Sequence, residues 1–133
     1  MIVLVTGAAR RIGAAIARGV AGAGHRVVIH YHRSRDEAEA LARALDGWTV
    51  QGDLADTASL PALFAHARAA AGAPIAALVN SASLFEYDTP GAVDPVLAAR
   101  LHAVNCTAPT LDRKSGSAGM PRPSGQSRMP SSA

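Results

Sequence analysis

A chain of 133 residues, 49% hydrophobic but only 4% aromatic, suffices for one domain with a core of small aliphatic side chains. No apolar run reaches bilayer length, no leader with a basic start and cleavage site is evident, and Cys106 stands alone, so a cytoplasmic protein without membrane span, internal disulfide or zinc cluster is expected. Nine arginines cancel nine acids over residues 1–110, and the net +3 comes from Arg113, Lys114, Arg122 and Arg128 against Asp112, which excludes a basic face for nucleic acid on the folded part.

In chain order, Ile-Val-Leu-Val at 2–5 reads as a buried parallel strand ending at Thr6-Gly7. Residues 12–22 have helical spacing, and 26–30 (RVVIH) make a second strand. A charged, alanine-rich helix follows at about 35–45, its acids in the first turn where the helix dipole favours them. Residues 48–51 form a short third strand closed by Gly52-Asp53. Ser59-Leu60-Pro61 opens a helix running to about Ala71. Residues 75–79 (IAALV) make a fourth strand and about 94–110 a last helix. This alternation predicts an α/β fold: a Rossmann-type parallel sheet, strands ordered 3-2-1-4, with helices on both faces.

Residues 1–110 form the expected nucleotide-binding half-domain. From Leu111 onward, six serines, three prolines and three glycines leave no apolar periodicity. Such a segment cannot bury enough surface to offset its ordering entropy, and a disordered tail over 111–133 is expected. Twelve arginines to one lysine suggest GC-rich coding DNA, in which a shifted reading frame yields peptide of this composition. A natural flexible tail is the alternative.

The segment Thr6-Gly7-Ala8-Ala9-Arg10-Arg11-Ile12-Gly13 joins the first strand to the first helix. Gly7 permits the tight turn. Gly13 lets the helix approach the sheet and lets backbone N–H groups approach a pyrophosphate at the helix N-terminus. The stretch resembles the TGxxxGxG fingerprint of the short-chain dehydrogenase/reductase family, with Arg11 replacing the middle glycine. It is similar to the variant in pteridine and dihydromonapterin reductases. That resemblance implies that Gly7, Arg11, Ile12 and Gly13 line the cofactor, with Arg11 reaching both phosphates and substrate.

An acid at the end of the second strand would suit the ribose 2′-hydroxyl of NAD. Here that end reads His30-Tyr31-His32-Arg33-Ser34, without an acid before Asp36. A guanidinium and a hydroxyl suit a 2′-phosphate instead, so NADPH is the expected cofactor. The His-Arg-Ser triplet is also similar to that of pteridine reductases, which implies His32, Arg33 and Ser34 at the 2′-phosphate. His30 and His32 share a face, but two histidines without a third ligand predict no metal site. By the same resemblance, Asp53-Leu54 lies beside the adenine, and Asn80-Ser81-Ala82-Ser83 stands where pteridine reductases carry NNAS. Ser83 and Phe85 are then substrate contacts, Phe85 stacking a pterin on the nicotinamide. Asn105 matches the family's helix asparagine that supports a proton-relay water.

The family's chemistry needs a Tyr-x-x-x-Lys pair, whose phenol donates the proton. Here Tyr31 is followed four residues on by Arg35 and Tyr87 by Gly91, and the only lysine is Lys114. The expectation is an NADPH-dependent oxidoreductase reducing C=O or C=N, pteridine-like substrates leading, in a truncated form inactive by itself. A non-catalytic NADP-binding or partner-binding fragment is the alternative. The uncharged 75–79 strand, without its next neighbour, is expected to self-associate through its edge.

Overall fold

The computed structural model describes residues 1–84, 86, 91 and 94–111. Four strands, β1 (Ile2–Val5), β2 (Arg26–Tyr31), β3 (Trp48–Gln51) and β4 (Ala77–Val79), form one sheet in the order β3-β2-β1-β4. Every pair is parallel, with Val3 opposite Val27 on one side and Ala77 on the other. The helices are α1 (Arg11–Gly22), α2 (Arg35–Ala44), α3 (Leu60–Ala71) and α4 (Pro95–His102), with a 3-10 turn at Thr57–Ser59. The expected Rossmann-type architecture and strand order are therefore found. The tail beyond Leu111, expected to be disordered, lies outside the described residues, as does Phe85.

The all-apolar strands have a direct explanation, because both faces of the sheet are covered. Val3, Val5, Val27, Ile29 and Tyr31 point to one side and pack with Ala14 and Ala17 of α1 and Ala38, Leu41 and Ala42 of α2. Leu4, Val28 and Val50 point to the other and pack with Leu60, Leu63, Phe64 and Ala67 of α3 and with Val104 and Ala108.

The sequence expectation differs from the structure at two elements. The fourth strand was expected over 75–79 but pairs only over Ala77–Val79. Pro74 interrupts the approach, and Ile75 turns its side chain into the second core while Ala76 N–H makes a single 2.8 Å bond to the Ile2 carbonyl. The last helix is not regular: α4 passes into a π-helical turn at Ala103–Thr107 before resuming through Leu111. Such a turn holds one extra residue per hydrogen-bonded ring, and π-turns recur at functional positions.

Candidate functional site: a cleft at the carboxyl ends of the strands

The carboxyl ends of all four strands open onto one cleft of about 600 Å³, at the point between β1 and β4 where the strand order reverses. That volume and position are those of a small-ligand or cofactor site in an open α/β sheet. Its floor is the β1–α1 loop. Gly7 has φ +61, and a Cβ there would stand 2.7 Å from the Ala82 Cα, so only glycine fits both the turn and the neighbour. A Cβ on Gly13 would collide with the Gly7 carbonyl oxygen and sit 2.8 Å from the Ala8 Cα. The first turn of α1 thus lies directly on the loop, and Arg11, Ile12 and Gly13 line the cleft.

Arg11, the first residue of α1, adopts φ +54. A side chain in this left-handed region costs of order 1 kcal/mol and persists where its surroundings impose it. The backbone keeps the conformation a glycine would take, while an exposed guanidinium is added to the cleft wall beside Arg10 and the 74% exposed Ile12.

Two clasps set the width of the loop. On the β4 side, the buried Thr6 hydroxyl accepts the backbone N–H groups of Ser81 and Ala82, each at 3.1 Å, and Thr6 N–H donates to the Val79 carbonyl at 3.0 Å. On the β2 side, His30, only 2% exposed, accepts the Gly7 N–H on Nδ1 at 3.1 Å. Its Nε2 lies 2.9 Å from the Gly52 carbonyl oxygen, just after β3. Burial pushes the imidazole below its ordinary pKa, a fall that the Gly52 bond partly opposes.

Beyond β2, His32, Arg33 and Ser34 line the cleft, with Arg33 exposed. Ser34 sits at the N-cap of α2, yet its hydroxyl makes no capping bond. Asp53 binds the Ala55 N–H through Oδ1 at 2.9 Å, while its Oδ2 stands 3.8 Å from His32 Nε2 and 4.0 Å from Arg100 Nη1. Leu54, buried beside it, completes this end. Ser81, Ala82 and Ser83 form the opposite wall, whereas the exposed Asn80 lies outside the cleft lining. Asn105, on the π-turn, grips the Leu84 backbone twice: Oδ1 accepts its N–H and Nδ2 donates to its carbonyl, both at 2.8 Å. Its amide fixes the Leu84 end of that wall.

The structure thus gathers Gly7, Arg11, Ile12, Gly13, His32, Arg33, Ser34, Asp53, Leu54, Ser81, Ala82 and Ser83 around one cleft. Two roles were missed from sequence: the clasping hydroxyl of Thr6 and the imidazole of His30. Among the described residues no group of three or more His, Cys, Asp or Glu side chains could hold a metal ion, and no helix is long and apolar enough to cross a membrane. Cys106 is exposed. The π-turn that carries it turns the thiol away from the apolar seam filled by Val104 and Ala108.

A strand–loop–helix with glycines at its turn, at the reversal point of a parallel sheet, defines a dinucleotide-type α/β unit. The chain belongs to the short chain dehydrogenase family, whose model matches residues 1–125. It is 42% identical over 64 residues to pteridine reductase 1 of Leishmania tarentolae, covering 44% of this chain and 22% of that protein. Over 107 residues it is 30% identical to an NADPH-dependent aldehyde reductase-like chloroplastic protein of Arabidopsis thaliana, covering 70% of this chain and 40% of the other. Among solved structures, it superposes on the FolM alternative dihydrofolate reductase 1 of Brucella canis, complexed with NADP, with a TM-score of 0.84 and 39% identity. That match covers 91% of this chain and 49% of the other, so the chain spans about half the length of this solved relative.

Proposed function

We propose that this chain is the NADPH-holding portion of a pteridine-reductase-like oxidoreductase. The observation that carries the reading is the acid-free end of β2, where Arg33 and Ser34 line the same cleft as Arg11 and the start of α1. Arg33 and the Ser34 hydroxyl are suited to a 2′-phosphate, and the loop donors with Arg11 to a pyrophosphate. The loop can pack this tightly beneath the cleft because neither Gly7 nor Gly13 carries a Cβ, which would strike the loop's own backbone or Ala82. When bound, the nicotinamide would supply hydride to a C=O or C=N bond. This chain's own residues bind and orient: His32 and Asp53 flank the adenosine end, and Asn105 holds the Leu84 segment that leads to Ser83 and Phe85 on the substrate side.

A pteridine-like small molecule is the substrate class we favour, supported by the likeness to pteridine reductase 1 and to the FolM protein. The sequence has no Tyr-x-x-x-Lys, so the chain alone lacks the proton donor and is catalytically silent. The same absence favours a second reading, a non-catalytic NADP-binding fragment. Titration of NADPH and NADH into the purified chain tests the proposal. NADPH should bind about tenfold more tightly or better, and Arg33→Asp should narrow or reverse the preference. Equal affinities in the parent chain would refute it. NADPH oxidation with a dihydropterin or quinone should stay at background, and turnover abolished by Arg11→Ala would overturn the silent-chain reading.

A further inference from the structure

The buried imidazole of His30 has a task that none of the surrounding binding groups performs. Its backbone carbonyl accepts the Ala8 N–H at 3.0 Å and its Nδ1 accepts the Gly7 N–H at 3.1 Å, so one residue of β2 holds two successive residues of the phosphate loop. Its other nitrogen reaches the Gly52 carbonyl at 2.9 Å, one residue before Asp53. The loop under the phosphates and the loop beside the adenosine end are thereby spaced by a single ring.

Hydrogen-bond polarity leaves one protonation state for that ring. A backbone N–H can only donate, so Nδ1 must be bare. A carbonyl can only accept, so Nε2 must carry the proton. An imidazolium would set Nδ1–H against Gly7 N–H, donor against donor, in a site closed to water. We infer that His30, as the neutral Nε2–H tautomer, is the positioning residue that sets the width of the cofactor cleft, and that adding a second proton to its ring loosens the Gly7 turn and weakens dinucleotide binding in acid. The affinity part rests on the NADPH reading above; the tautomer and the clasp do not.

The groups facing His30 must be separated from it. His32 lies on the same strand end, Asp53 follows β3, and Arg100 of α4 stands 4.0 Å from Asp53. Arg11, on the phosphate loop, lines the same cleft. From α3, the apolar Leu63 packs against Gly52. The burial that lowers the pKa of His30 agrees with a neutral ring at neutral pH. His30→Asn is the discriminating variant. Its Oδ1 can still accept the Gly7 N–H but does not titrate, while His32, Asp53 and the cofactor's own 2′-phosphate remain.

The experiment is NADPH titration by nicotinamide fluorescence on the full chain and on His30→Asn, between about pH 8 and about pH 5. The parent should lose about three- to tenfold more affinity on acidification than the variant, which is the loss of one hydrogen bond. Superimposable pH profiles would overturn the inference. A second measurement needs neither cofactor nor variant: long-range ¹H–¹⁵N NMR of the parent should show His30 protonated on Nε2 at neutral pH. A neutral ring protonated on Nδ1 would overturn the inference even if NADPH binds. If NADPH fails to bind at any pH, the cofactor reading falls, and the NMR result alone decides the role of His30.

Discussion

β2 and β4 are both short apolar strands in one parallel sheet, yet they live under different conditions. β2 has a strand on each side and a helix layer on each face, and five of its six residues are buried. β4 pairs with β1 alone among the described residues, and its three residues are all only partly buried. β4 is the more uniformly aliphatic of the two, so hydrophobicity does not explain the difference. Their stability differs because a parallel strand acquires it from neighbours on both edges and both faces. The cleft follows the same division, the β2 wall braced by His30 and the β4 wall by a three-residue strand, the Thr6 hydroxyl and an asparagine grip.

The largest expected break in this comparison comes from removing core volume on the well-packed side. Ile29→Ala should cost about 2–5 kcal/mol, against about 1 kcal/mol for Val79→Ala, measured by urea unfolding. Equal losses would mean that β4 is as well covered as β2. Next, Gly13→Ala places a methyl against the Gly7 carbonyl and should cost about 1–3 kcal/mol, with NADPH affinity falling more than stability alone explains. Acid should then act on the β2 wall. The His30 pKa is lowered on folding from the ordinary 6.5, so the stability it contributes is complete above that value and is lost as pH falls through the depressed one. The unfolding midpoint should drop on acidification by more in the parent than in His30→Asn. The smallest effect on folding is expected for Ala76→Lys, within about 0.5 kcal/mol at an exposed position beside β4. If the β4 edge drives self-association, the substitution should still reduce light scattering at matched concentrations. A parent chain that is already monodisperse would remove the edge from the argument.

Sheet order and the phosphate loop were legible in sequence because they rest on local signals. Glycines at fixed offsets mark the turn, and all-apolar strands alternate with helical periods. The shortening of the fourth strand was not legible, since it depends on how Pro74 and Ile75 meet the second core. Nor was the role of His30. In sequence it stood out only as half of a histidine pair too small for a metal site, whereas its partners, Gly7 and Gly52, sit 23 and 22 residues away and become neighbours only when three strands align. The exposure of Cys106 escaped for a related reason, because a π-turn rotates the helix face without changing its composition.

The clasp between Thr6 and the Ser81–Ala82 backbone has a consequence for the order in which the molecule is built. Its partners are 75 and 76 residues apart, and the β1–β4 pairing it crowns spans a similar separation. The contacts among β1, β2 and β3 close shorter loops and can form as soon as residue 51 is available. Long-range closure is the slower step in folding, and synthesis delivers the amino-terminal contacts first. The far edge of β1 therefore waits, open and wholly apolar, until α3 and β4 exist to cover it. During that interval the Thr6 hydroxyl, almost wholly enclosed in the finished fold, lacks the Ser81 and Ala82 partners that enclose it.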